Sequence, residues 1–205
     1  MPKHTEIRIQ FAELLYSWLS PSLMEYYDIK SPLLRGVRDM PSAEWVQSKV
    51  DEYNAEWMLR GEDILVALQE LLKLSFYQPV IDVYVAPYLH EQSTPILVGT
   101  KYTPDQFVDV LVHELIHVLL SDNAENIQVG SYLNQMFPEE EPKVRIHVVV
   151  HACLQHIYLN VLGDETRLSR DIAKCAINEP YKVAWKIVET HGYEKVIRDF
   201  ITHYS

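Results

Sequence analysis

The strongest constraint on this chain is the run from Asp105 to Ser121, which is apolar on almost every side. Phe107, Val108, Val110, Leu111 and Val112 are followed by Leu115, Ile116, Val118, Leu119 and Leu120. Just ahead of the run, Thr103 can cap a helix, Pro104 fits its first position and Gln106 completes a capping-box pattern. A helix that is hydrophobic all round belongs in the interior, so the rest of the chain must supply packing on several sides of it. Any ionisable group on such a helix is costly unless it is paired or bound.

The remaining segments are mostly helical in period. Residues 4–19 read as an amphipathic helix ended by Ser20-Pro21, and residues 42–59 and 62–76 as two helices separated near Gly61. The period then changes. Val80-Ile81-Asp82-Val83-Tyr84-Val85 is β-branched between Pro79 and Pro87 and reads as a strand, and Ile96-Leu97-Val98 as a second short one. Further helices are expected over 125–136, 142–162, 165–177 and 181–202, with Pro180 opening the last. Glu139-Glu140-Glu141 precedes the 142–162 helix, where carboxylates complement its dipole. Two short strands in a helical chain predict an α+β fold, mostly helical with a small sheet next to the apolar helix. At 205 residues a single domain is expected, with a helical part over 1–78, a core over 79–162 and C-terminal helices over 163–205.

Composition narrows the function classes. The net charge of −11 argues against nucleic-acid binding, which normally shows a basic face. No stretch of eighteen apolar residues is present, so no membrane span is expected, and the first twenty residues lack the apolar region of a signal peptide. Cys153 and Cys175 both fall in apolar helical patterns and are expected to be buried free thiols, which together with the missing signal points to a cytoplasmic protein.

The apolar helix carries His113-Glu114-Leu115-Ile116-His117, an H-E-x-x-H pattern. Residues four apart lie one turn apart on one face, so both imidazoles can reach a single Zn²⁺ at about 2.0–2.1 Å. Glu114 is rotated by about 100° from His113 and can reach a water beside the metal as a general base. With 9 His and 18 Glu in the chain, the pattern arises by chance about 0.03 times per chain, and the burial expected of this helix makes unpaired histidines costly in addition.

A site that opens one position to water needs a third protein ligand. The 142–162 helix offers His147, His151 and His156. His147 and His151 share its apolar face with Val150, Leu154 and Tyr158. His151, in the middle of that stripe and followed by small Ala152, is the first choice, and His147 the second. Glu165 is the remaining distal acid and reads as a first-turn residue of the next helix. Asp109, one turn before His113, reads as an exposed first-turn acid with a second possible role as acceptor for a ligand histidine. His156 is expected to face solvent. Tyr158, His156 and His147 are each placed to be considered as oxyanion donors, and the sequence does not choose among them.

Over Val112 to Leu120 and the strand before it, the chain resembles the zincin metallopeptidases. The resemblance implies a zinc metallopeptidase acting on a peptide or protein substrate, with an edge strand, Ile96-Leu97-Val98 or Val80–Val85, that pairs with extended substrate. Leu120 and Asn123 stand where metzincins carry Gly and their third His. The small gluzincin-like members instead use a distal glutamate in an Asn-Glu-x-x-Ala setting, and this chain has His151-Ala152 in that region. The Gly-His-Gly-like turn of the SprT-like proteases is also absent. The expected centre is therefore His113, His117 and His151 with Glu114 as catalytic base. The alternative is a catalytically silent metal-binding module with a structural or regulatory role.

Overall fold

In the computed structural model, which describes residues 4–18 and 40–204, the fold is α+β. Strand β1 (Glu6–Phe11) and helix α1 (Glu13–Trp18) come first. Helix α2 (Ala43–Leu72) leads to β2 (Val80–Ala86), β3 (Gln92–Ser93) and β4 (Ile96–Gly99). The helices α3 (Pro104–Asp122), α4 (Ala124–Ile127), α5 (Val129–Met136) and α6 (Pro142–His156) follow. A π-helical turn, Ile157–Val161, then leads to α7 (Glu165–Cys175), α8 (Glu179–His191) and α9 (Tyr193–Tyr204). Contacts divide the chain into two compact units, one holding residues 5–59 and 78–114 and the other residues 60–77 and 115–205.

The first unit contains a four-stranded mixed sheet in the order β1-β2-β4-β3. β1 pairs parallel with β2 from Glu6 opposite Val80 to Phe11 opposite Val85. β2 pairs parallel with β4, and β3 closes antiparallel on β4 at Leu97 and Ile96. Register puts Arg8 opposite Asp82, and their side chains form an ion pair at 2.8 Å on the polar face, while Ile81, Val83 and Val85 are buried on the other. In the same unit Tyr53 of α2 stacks on Phe107 of α3 with ring centroids 4.1 Å apart, and its hydroxyl donates to the Tyr102 carbonyl at 2.9 Å.

The second unit is helical. α6 packs against both α8 and α9, and the Tyr204 hydroxyl of α9 donates to the carbonyl of Leu72. Asn123 ends α3 by donating to the carbonyls of Leu119 and Ser75 at 2.8 and 2.9 Å.

Several expectations are corrected. The helix expected over 4–19 is a strand followed by a short helix, because Glu6–Phe11 finds a parallel partner in β2. The Ser20-Pro21 stop lies outside the described residues. Helices 42–59 and 62–76 are one helix of 30 residues that runs through a buried Gly61. A glycine inside a helix costs about 1 kcal/mol, less than the burial of Ile64, Leu68 and Leu72 returns. The helix expected over 181–202 is split at Gly192, whose φ of 81° no helix accepts. The helix over 125–136 is split at Gln128, with φ 44°. Residues 142–162 hold their helix only to His156 before the π turn. β2 is not an edge strand, since β1 and β4 flank it, and β3 occupies the outer side of Ile96 and Leu97.

Candidate metal centre

α3 begins as its sequence signals promised. The Thr103 amide donates to the Gln106 side chain at 3.2 Å, half of a capping box, and Pro104 fills the first position. From Phe107 to Leu120 every residue is buried except two, His113 and His117. They lie one turn apart and continue to exposed Ser121, so the only solvent-reached stripe along this stretch of helix is the one that carries the imidazoles. Glu114 is adjacent and 7% exposed.

α6 contributes the third imidazole. His113, His117 and His147 each offer a ligand nitrogen, and the three lie within 4.8 Å of one another. The His147 ring meets the His117 ring edge-on at a centroid distance of 5.0 Å. Tetrahedral zinc at 2.0–2.1 Å sets its ligand nitrogens about 3.4 Å apart, so closing this group around an ion would take side-chain shifts of no more than about an ångström.

The donor chemistry fits such an ion. His147 Nδ1 is 2.6 Å from the Lys143 carbonyl oxygen. A carbonyl only accepts, so Nδ1 carries the proton and Nε2 presents its lone pair, the arrangement that orients a ligand histidine. Burial pushes both His117 and His147 down to about 4, the latter against the pull of its Lys143 hydrogen bond. Both rings are neutral at pH 7 and would release no proton on binding.

His151, the first choice for the third donor, lies one turn beyond His147 and outside the group of three. It is fully buried, its ring stacked on Trp185 at 4.5 Å with 14° between planes, and 5.6 Å from the His147 ring. Desolvation, then the neighbouring His147 and His117, hold it well below the usual imidazole range. Asp109 is 8% exposed and so is not the surface acid expected. Tyr158 is buried. Glu165 takes the first turn of α7, as expected, where Asp164 caps the helix by accepting from the Thr166 and Arg167 amides. His156 is half-buried and hydrogen-bonded to Asn160 at 3.3 Å instead of facing solvent freely. Tyr181, which belongs to no motif in the sequence, has its ring 4.4 Å from that of His147, with Lys143 Nζ 4.8 Å above it. Its place after Pro180, at the start of α8, was the available signal.

Cys153 and Cys175 are free and buried, as expected. Among the described residues no helix is long and apolar enough to cross a membrane. No family model matches the chain, and no curated protein or solved structure does either.

Proposed function

We propose that this chain is a zinc-dependent hydrolase, acting on peptide bonds, with His113, His117 and His147 as its metal ligands. The observation that carries the reading is the pairing of an open stripe with a third donor. Between Phe107 and Leu120 of α3 only the two histidines of H-E-x-x-H are not buried, and a third imidazole nitrogen lies within 4.8 Å of theirs. Three histidines would hold such an ion and leave room on it for water or substrate. The peptide substrate rests on the likeness of Val112–Leu120 to the zincin active helix.

Zinc bound there supplies Lewis acidity toward a carbonyl and lowers the pKa of water toward about 7. The protein's residues do the rest. Glu114 takes the proton of the attacking water on its carboxylate and delivers it to the leaving amine. The Lys143 carbonyl fixes the His147 ring through Nδ1. The low exposure of Glu114 keeps the proton transfer away from bulk water.

Metal analysis of protein prepared without chelator should give about one zinc per chain, and His113→Ala should remove it. Less than about a tenth of an equivalent, unchanged in the variant, rejects the site. On a pool of fluorogenic peptides, Glu114→Gln should retain zinc and lose at least about 100-fold in rate. Zinc retained with no hydrolysis of any peptide by the unmodified protein would favour the silent metal-binding module.

A further inference from the structure

A concave site lies in the helical unit, built by residues outside the metal centre. It is a groove of about 360 Å³ lined by Leu71 of α2, by His156 and Asn160 around the π turn, and by one face of α9. The π turn is a deliberate irregularity: the Leu162 amide bonds the Ile157 carbonyl at 2.9 Å, five residues back, and turns of this kind recur at functional sites. Here it brings the Asn160 amide to His156 Nδ1 at 3.3 Å and to the Tyr193 hydroxyl at 3.0 Å. Because that amide group donates, Nδ1 of His156 accepts, which leaves the ring proton on Nε2.

The α9 face presents opposite charges. Glu194 and Arg198 are four residues apart, a spacing at which such groups usually pair along a helix. Lys195 and Asp199, one position on, do pair that way. Glu194 and Arg198 both line the groove, and among the described residues neither forms an ion pair, while Glu194 Oε1 accepts from the Tyr193 hydroxyl at 3.4 Å. Leu71, Ile197 and Ile201 give the groove an apolar wall beside the two charges. An anion alone would meet Glu194, and a cation alone Arg198. A ligand bearing both charges with an aliphatic group satisfies all three features.

We propose that this groove binds a zwitterionic amino compound of the aliphatic α-amino acid class. Arg198 takes the carboxylate, Glu194 the ammonium, and Leu71, Ile197 and Ile201 the side chain. The site uses none of the metal-centre residues and does not depend on the hydrolase reading.

Calorimetric titration of the full chain with leucine tests it, with the His156 ring resonances followed by NMR. Saturable binding that moves His156 is expected. Leucinamide and N-acetyl-leucine should each bind at least about tenfold more weakly, as should leucine to Arg198→Gln and to Glu194→Gln, since each removes one charge-assisted contact. Both positions are exposed, so the variants should fold, as circular dichroism would verify. Leucine also chelates zinc, so His117→Ala serves as control and should leave the affinity unchanged. The proposal is overturned by the absence of saturable binding up to about 10 mM. Binding lost in His117→Ala but kept in Arg198→Gln would overturn it too, as would inorganic phosphate displacing leucine without regard to Glu194→Gln.

Discussion

His147 and His151 occupy one face of one helix, a turn apart, and their surroundings differ. His147 is 5% exposed, held through Nδ1 by the Lys143 carbonyl, and lies against His117. His151 is fully enclosed and stacked on Trp185. Truncating them should therefore separate two quantities. His147→Ala should weaken zinc affinity by more than about 100-fold, beyond what losing an outer-shell partner costs, as measured by competition with a chromophoric chelator. His151→Ala should leave that affinity within about threefold and cost about 3 kcal/mol of folding stability in urea, through the emptied ring site. The reverse pattern would return the third ligand to His151. Sequence alone placed both residues on the apolar face but could not say which turn of α6 lies level with His117, because a one-turn slide preserves every periodicity. Glu114 was legible for the opposite reason, since its place is fixed by the helix that carries both neighbouring histidines.

The same rings give the metal-free protein a pH dependence. His117 and His147 are pushed by burial to about 4, below the usual 6.5. The unfolded chain therefore takes up these protons first as pH falls. The stability they contribute is complete above about pH 6.5 and is lost as pH drops toward 4. Denaturation midpoints of chelator-treated protein, measured across that window, should fall with pH. Replacing both histidines with Gln should make the fall shallower, with His151 carrying a share of what is left, and an unchanged slope would show that other groups carry it.

Among the elements, legibility followed how far a segment depends on distant partners. α3 announced itself by its own caps and apolar surface, and the structure has it at Pro104–Asp122. β1 did not, although Ile7, Ile9 and Phe11 alternate with Glu6, Arg8 and Gln10 in strand period. Leu14, Leu15 and Trp18 extended the apolar pattern at helical spacing, and only β2, some seventy residues on, decides for the strand. Glycine made the other boundary errors. Gly61 is passed over by a helix whose other residues favour continuing. Gly192 stops one, with φ 81° and ψ 128° that other residues rarely adopt. Gly192 and Gly130, at neither of which an added Cβ would meet an atom within 4 Å, should thus respond oppositely to alanine. Gly192→Ala should destabilise by about 1–3 kcal/mol through backbone strain alone. Gly130→Ala, inside α5 with no positive φ, should stabilise by about 0.5–1 kcal/mol. Urea midpoints of the two variants check the sign, and a stabilised Gly192→Ala would refute the assigned strain.

For the molecule as a whole, the question is whether metal binding and folding are linked, and Cys153 can report it. The thiol sits six residues beyond His147 on α6, fully buried, and burial pushes it up to about 12. Alkylation at pH 7 is blocked both by the missing thiolate and by the missing access, so it requires the helix around Cys153 to open. Zinc that binds the folded state alone lowers the open population by the factor 1 + [Zn]/Kd, about 100-fold when free zinc is 100 times Kd. Iodoacetamide labelling of Cys153, followed by mass spectrometry, should slow by about that factor on adding zinc. The effect should vanish in His147→Ala and persist in Glu114→Gln, which keeps all three ligands. If bound zinc leaves the labelling rate unchanged, Cys153 becomes reactive through a local opening that leaves the metal ligands in place, and His147 would then belong to a separate cooperative unit from the residue six positions along its own helix. A short, buried helix packed on both α8 and α9 resists that division, because fraying it past Cys153 exposes Val148, Val149 and Leu154 together.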